Sequence, residues 1–354
     1  VISRVFHDGG EVICGDLFLS RYSGSLLVPP YAYFMRSGEL TATNAYGVNL
    51  GVDCPDLPPA WRSGWGYPLS GGSFILSGGT VRTARLAMGQ ADNLFDLHGG
   101  ELLLGSGGIV LTTNNPQGTV RLGGVMIRAT ADWKTSLRME LSGECGPAVL
   151  DTAGFDVTWS NTLSGAGGLV KTGAGTLFLH GATHTFTGPL TVASGTLACA
   201  ADSVFSGVTE ITVTNGTLAL DGSVLSQGVT LRIAEGGSLT LPAGHDLDVA
   251  RFYLNGVLQP AGTYAHGEGT VTVTPSERII WTGAAEDGAL WGTPNNWSNT
   301  AVVPNGAGVA LDFGYSALSA DQQIVLDVSP GVTLTNLAYG HGSRGAVLTL
   351  TCPA

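Results

Sequence analysis

The sequence predicts an all-β chain wound as a parallel β-helix, a β-solenoid, with a small β module at its C-terminal end. Three observations carry that reading: a period of about 20 residues, alternation of apolar and polar residues within each period, and glycine at the boundaries. A Gly-Xaa-Leu/Val triplet recurs at Gly79-Thr80-Val81, Gly100-Glu101-Leu102, Gly175-Thr176-Leu177, Gly195-Thr196-Leu197, Gly216-Thr217-Leu218 and Gly237-Ser238-Leu239. The spacing from Gly79 to Gly100 equals that from Gly195 to Gly216 and from Gly216 to Gly237; the step from Gly175 to Gly195 is shorter by one. Fixed spacing of this size is the mark of stacked repeats. A further copy, Gly269-Thr270-Val271, follows after a longer interval.

Composition agrees. Of 354 residues 44% are hydrophobic and only 12% charged, which excludes a disordered chain. The 54 glycines follow no Gly-X-Y order, which excludes collagen. The net charge is −12 and there are two lysines, Lys134 and Lys171, so no basic face for nucleic acid is expected. An acidic chain with few charges suits an extracellular protein. No apolar run is long enough to span a membrane as a helix, and none opens the chain as a signal peptide.

Residues 1–71 read as β rungs interrupted by a Pro- and Trp-rich stretch from Cys54 to Gly72, an irregular loop leaving the coil. Residues 72–275 read as the β-helix proper. In "TLFLHG" alternation puts Leu177 and Leu179 on one face and Phe178 on the other. Thr and Val suit half-buried strands, and glycine lets the chain turn its corners, often through positive φ. Neighbouring rungs then pair about 4.8 Å apart and stack leucine on leucine, since no rung buries its own face alone. The segment Ala250–Pro275 reads as a hairpin turning at Asn255-Gly256, followed by a strand. From Ser276 the style becomes aromatic and turn-rich, and residues 276–354 read as a small β module or the start of a further repeat unit. The best helical candidate, Leu318–Pro330, has a tail that reads better as a strand.

The stretch Gly165–Leu197, "GAGGLVKTGAGTLFLHGATHTFTGPLTVASGTL", resembles the autotransporter-associated β-strand repeat, also called the passenger-associated transport repeat. The matching residues are Gly165, Gly167, Leu169, Lys171, Gly173, Gly175, Thr176, Leu177, Leu179, Gly181, Thr187, Gly188, Val192, Gly195, Thr196 and Leu197. His184 stands where the pattern has Asn, and Phe186 where it has Tyr, changes to a local turn bond and a hydroxyl rather than to the coil. The match covers roughly a tenth of the chain, with weaker copies beyond it. The resemblance implies a right-handed parallel β-helix, secreted or displayed on the outer cell surface, and a chain that is a passenger fragment or a cell-free secreted protein.

Parallel β-helices also carry enzymes, so chemistry must be sought in the residues. The carboxylate pairs Asp53/Asp56, Asp92/Asp96, Asp151/Asp156, Asp246/Asp248 and Glu286/Asp287 read as turn residues rather than as a glycosidase pair. Arg82, Arg85, Arg121, Arg128 and Arg138 are the one cationic group. At a constant period, Arg82 and Arg121 lie two turns apart and would line one face with Arg138, a grip for an anionic sugar; solvent-exposed arginines lying over a β face are the favoured reading. His180 and His184 lack an acidic partner, no zinc or calcium motif occurs, and no metal or cofactor is assigned. The five cysteines, Cys14, Cys54, Cys145, Cys199 and Cys352, show no metal spacing and read as small buried hydrophobes. A Cys14–Cys54 disulfide stays open beside that reading. Ligand-binding residues are assigned to the irregular loop, Trp61, Trp65 and Tyr67, whose rings suit the faces of a glycan; Trp281, Trp291 and Trp297 in the last module rank below them as core residues. The function predicted is a non-enzymatic scaffold, adhesin or extracellular structural protein, with glycans or a second copy as partners and filament formation through open ends. The alternative is a carbohydrate-active β-helix: a polysaccharide lyase, a glycoside hydrolase or a glycan-binding module.

Overall fold

A computed structural model describes residues 4–19, 31–50, 72–89, 93–112, 118–180, 183–226, 228–259 and 262–273, together with the backbone of five short strands beyond residue 278. Among these residues there are only strands and turns. They form stacked parallel coils, each passing through three faces before the next begins. On the second face the pairing is unbroken: Glu11, Glu39, Thr80, Glu101, Met126, Val149, Val170, Thr191, Thr212, Arg232 and Tyr253 follow one another as register partners. On the third face Trp133, Val157, Leu177, Leu197, Leu218 and Leu239 do the same. On the first, Ser73, Leu94, Thr119 and then Val120, Met139 and Leu163 do so.

Alternation explains which side chains fill the coil. Leu177 and Leu179 point inward and are buried, with Phe178 between them on the outer side, as the sequence predicts. On the second face the inward column reads Leu40, Val81, Leu102, Ile127, Leu150, Lys171, Val192, Val213 and Ile233. Each fully buried aliphatic side chain in it contributes about 1.5–3 kcal/mol. An aromatic stack runs inside the first face, with Tyr33 5.5 Å from Phe74 and Phe74 6.2 Å from Phe95.

One member of that column is not aliphatic. Lys171 is fully buried, and its Nζ donates to the carbonyls of Thr172 (2.8 Å), Gly173 (2.8 Å) and Ser194 (3.0 Å). Burial pulls its pKa from 10.5 down to about 8, against the opposing charge of Asp151. The ammonium closes the corner where the second face turns into the third.

The glycine triplets divide into two kinds. Gly79, Gly100 and Gly195 turn their corners with φ of 76°, 70° and 67°. Gly175, Gly216 and Gly237 do not enter that region; backbone from the preceding coil occupies the space a Cβ would need, Phe155 O in the case of Gly175. Positive φ is thus the means of turning at half of these triplets, and close backbone approach the reason for glycine at the others. Several corners are also gentler than expected, since Leu190–Cys199 and Glu210–Leu220 pass through theirs as single strands.

The hairpin is present as read: Arg251–Leu254 pairs antiparallel with Val257–Gln259 through Asn255 and Gly256 at φ 53° and 78°. The Gly269–Val273 strand follows, parallel to Asp246–Val249. Beyond it, Ile279–Ile280, Ala310–Phe313 and Asn336–Tyr339 pair in parallel, and Gln322–Val325 pairs in parallel with Leu348–Thr351. The described part of the helical candidate is thus a strand. Cys199 is buried, but Cys14 is half-buried and Cys145 exposed, so the reading of buried cysteines holds for Cys199 alone among the three described. Cys54 and Cys352 lie outside the described residues.

Candidate functional site

The outer side of the first face carries a charged ladder. Asp96, Arg121 and Glu140 are register partners on three successive coils, and all point outward because Phe95, Leu97, Val120, Leu122, Met139 and Leu141 take the inward positions. Arg121 reaches Asp96 Oδ2 at 3.5 Å, Glu140 Oε2 at 3.6 Å and Glu144 Oε1 at 3.3 Å. Burial pulls the Arg121 pKa down, and the three carboxylates outweigh it and hold the guanidinium above its usual value.

Two residues outside the strict ladder complete the cluster. His98 follows Leu97 on the outer side, and its Nδ1 lies 3.4 Å from Asp96 Oδ1. Glu144 comes from the turn after Leu141, where Gly143 and Cys145 have φ of 74° and 60°. Gly124 N donates to Glu144 O at 2.8 Å and Glu144 N donates to Ser142 Oγ at 3.3 Å, fixing that turn. Gly123 makes the approach feasible. A Cβ there would collide with Glu144 O and stand 3.1 Å from His98 Cβ.

Similar pairs join coils elsewhere. Arg128 Nε meets Asp151 Oδ2 at 3.0 Å and Glu101 Oε1 at 3.5 Å. Arg82 meets Glu39 at 2.7 Å, and Arg232 meets Glu210 at 2.7 Å while stacking 3.9 Å over Tyr253. Exposed pairs of this kind contribute about 0–1 kcal/mol each. Their chemical consequence is larger: Arg82, Arg121 and Arg128 are already engaged by carboxylates.

The expectation that Arg82 and Arg121 share a face with Arg138 is overturned. Arg82 pairs with Thr41 and Leu103 on the second face, whereas Arg121 pairs with Asp96 on the first. The cause is coil length. The step from Asp96 to its partner Arg121 is longer than the repeat and the step from Arg121 to Glu140 is shorter, so counting by a constant period misplaces the faces. Arg138 is exposed just before the Met139–Leu141 strand.

Other sequence candidates separate. His180 lies outside the coil with its ring 6.0 Å from that of Phe178. His184 is fully buried, accepts from Leu163 N at Nδ1 (3.3 Å), and packs 4.8 Å from Phe205; burial lowers its pKa to about 4. Asp246 and Asp248 do share the outer side of one strand, and Asp246 accepts from Thr270 and Thr272 at 2.8 Å each. Asp151 and Asp156 accept from the turn amides of Ala153 and Thr176. Trp61, Trp65 and Tyr67 lie outside the described residues, as do Trp281, Trp291 and Trp297. Sequence reasoning misses the Asp96–His98–Glu144 grouping because Glu144 arrives from two coils away. The Asp-Leu-His spacing, which sets two polar residues on one side of a strand, is the one local signal.

Residues 169–198 match the family model described as passenger-associated-transport-repeat. Among curated proteins the chain is similar to the adhesin BmaC autotransporter of Brucella suis biovar 1 (strain 1330), with 34% identity over 127 residues. That stretch is 36% of this chain and 3% of the relative, so the chain spans a small fraction of the protein it matches. No solved structure matches. No helix among the described residues is long and apolar enough to cross a membrane.

Proposed function

We propose that this chain, an autotransporter passenger repeat protein that is secreted or displayed at the cell surface, is a rigid adhesive column whose contact surface is carried by segments leaving the coil. The carrying observation is the unbroken parallel register from Glu11 to Tyr253 around one apolar interior. Each coil adds about 4.8 Å of height and is locked to its neighbours, so the column projects whatever its loops hold. An adhesin among the relatives supports the same direction.

The segment holding Trp61, Trp65 and Tyr67 is the proposed contact with glycans. It supplies extra length between coils: the chain from Ala32 to its partner Ser73 is nearly twice as long as that from Ser73 to its next partner, Leu94. Tryptophan rings suit sugar faces, and binding residues favour inserted connections. The enzymatic alternative has less support. Asp96, Glu140 and Glu144 are all drawn onto the one guanidinium of Arg121 rather than held apart as a facing pair across one glycosidic bond.

The test is to couple the purified chain to beads and measure retention on glycan arrays and host-cell matrices. A W61A/W65A variant and a polysaccharide-cleavage assay run alongside. Retention lost in the variant is expected. Unchanged retention removes the aromatic contact, and turnover of any polysaccharide removes the adhesive reading in favour of an enzyme.

A further inference from the structure

We propose that Asp96, His98 and Glu144 form a binding site for a divalent transition-metal ion, zinc being the suitable probe. Two buried atoms there meet only each other and form no hydrogen bond. Asp96 Oδ1 and His98 Nδ1 are both shut off from solvent and neither makes a hydrogen bond, although they face each other at 3.4 Å. Buried polar atoms are nearly always satisfied, so an orphaned facing pair asks for a third party. The ion pair to Arg121 does not supply it, because that contact is made through Oδ2 and leaves Oδ1 turned toward the imidazole.

The separation suits a shared cation. Two donors each about 2.0–2.1 Å from a tetrahedral centre stand about 3.3 Å apart. The third donor is close: one ligand atom from each of Asp96, His98 and Glu144 lies within 4.8 Å of the others. Glu144 is the most exposed of the three, its side chain 53% open to solvent, and so the least constrained by packing. Charge agrees as well. Asp96, Glu140 and Glu144 surround the single cation Arg121, leaving an excess of negative charge that a dication neutralises. The donor chemistry selects the metal. Imidazole with carboxylates suits zinc and its neighbours, whereas calcium and magnesium favour oxygen-only shells.

The position gives the ion a mechanical role. Asp96 and His98 belong to one coil and Glu144 to the coil two steps on, so the metal ties them across the coil of Arg121. An ion that binds only this folded arrangement stabilises it.

The experiment uses the untagged full chain, stripped with chelator and dialysed. Zinc binding is measured by titration calorimetry, cobalt binding by visible absorption, and melting temperature with and without zinc. One equivalent of zinc is expected, with calcium and magnesium unable to displace it and the melting temperature raised. Affinity should fall at least tenfold in D96N, H98Q and the loop variant E144Q, each checked by circular dichroism in chelator. No zinc uptake by the native chain, or uptake unchanged in folded D96N/H98Q or folded E144Q, overturns the assignment.

Discussion

Replacing Lys171 with methionine sets two effects against each other. The position lies in an inward column between Leu150 and Val192, where an aliphatic residue would be expected. Methionine keeps the unbranched stem and so preserves most of the packing. It also removes a buried ammonium, whose desolvation is costly, and exchanges of buried charge for apolar groups are sometimes neutral or stabilising. Against this, the corner carbonyls of Gly173 and Ser194 lose the ammonium as donor, as does that of Thr172, which keeps Thr152 N and Oγ1. Hydrogen bonds to a charged group contribute about 1.5–3 kcal/mol each, and an orphaned buried acceptor costs about 1–3 kcal/mol. Two such losses, with the weakening at Thr172, exceed the relief from removing one ammonium. The expected result for K171M is a destabilisation of about 2–4 kcal/mol, read from the urea midpoint at unchanged slope. Because the corner is shared by the coils of Lys171 and Ser194, hydrogen exchange should accelerate there first. A K171M midpoint equal to or above that of the native chain would refute the claim that the ammonium holds this corner.

Three further outcomes follow from the same geometry. His184 is held neutral by burial, with a pKa near 4 against 6.5 when free, so between those values the unfolded chain binds the extra proton. Stability should therefore fall as pH drops from about 6.5 to about 4, by up to about 3 kcal/mol, and H184N should flatten that part of the urea-midpoint profile. G195A places a Cβ at a φ of 67° against Gly173 O and 2.8 Å from Lys171 Nζ, and should cost more than about 2 kcal/mol in the same denaturation assay. R121M leaves three carboxylates facing one another; a loss of about 1 kcal/mol, shrinking as salt is raised in thermal melts, is the expected signature.

What can be read from the sequence is the interior. Leu177 and Leu179 inside, Phe178 outside, the even steps between Gly195, Gly216 and Gly237, and the Asn255-Gly256 turn all follow from alternation and turn chemistry, which are local. Lys171 cannot be read this way. Its alternation phase marks it as buried, but its charge marks it as a surface residue, and only the corner carbonyls show why the phase wins. The outer surface is harder still. A constant period places Arg82 and Arg121 together, and the unequal steps on either side of Arg121 move them to different faces. Which outward residues meet depends on how much chain each corner holds, and that length is set by turns such as Gly143–Cys145 rather than by the repeat.

The same dependence says where to look for function in a chain of this kind. An inward position is constrained by the residue below and the residue above, so changes there cost stability. An outward position on a strand is constrained mainly by its charge partners across one coil, as Arg128 is by Glu101 and Asp151. Corner residues beyond those needed to close a coil are freer again, and must run over the surface. The passage from the first face to the second is longer between Leu141 and Ala148 than between Ser164 and Leu169 one coil later. Glu144 sits in that surplus and reaches back over a whole coil to Asp96 and His98. In sequence, the stretch from Leu50 to Gly72 is longer still. Extra corner length, rather than the repeat that names the architecture, is therefore the feature that gives one such column its own surface chemistry.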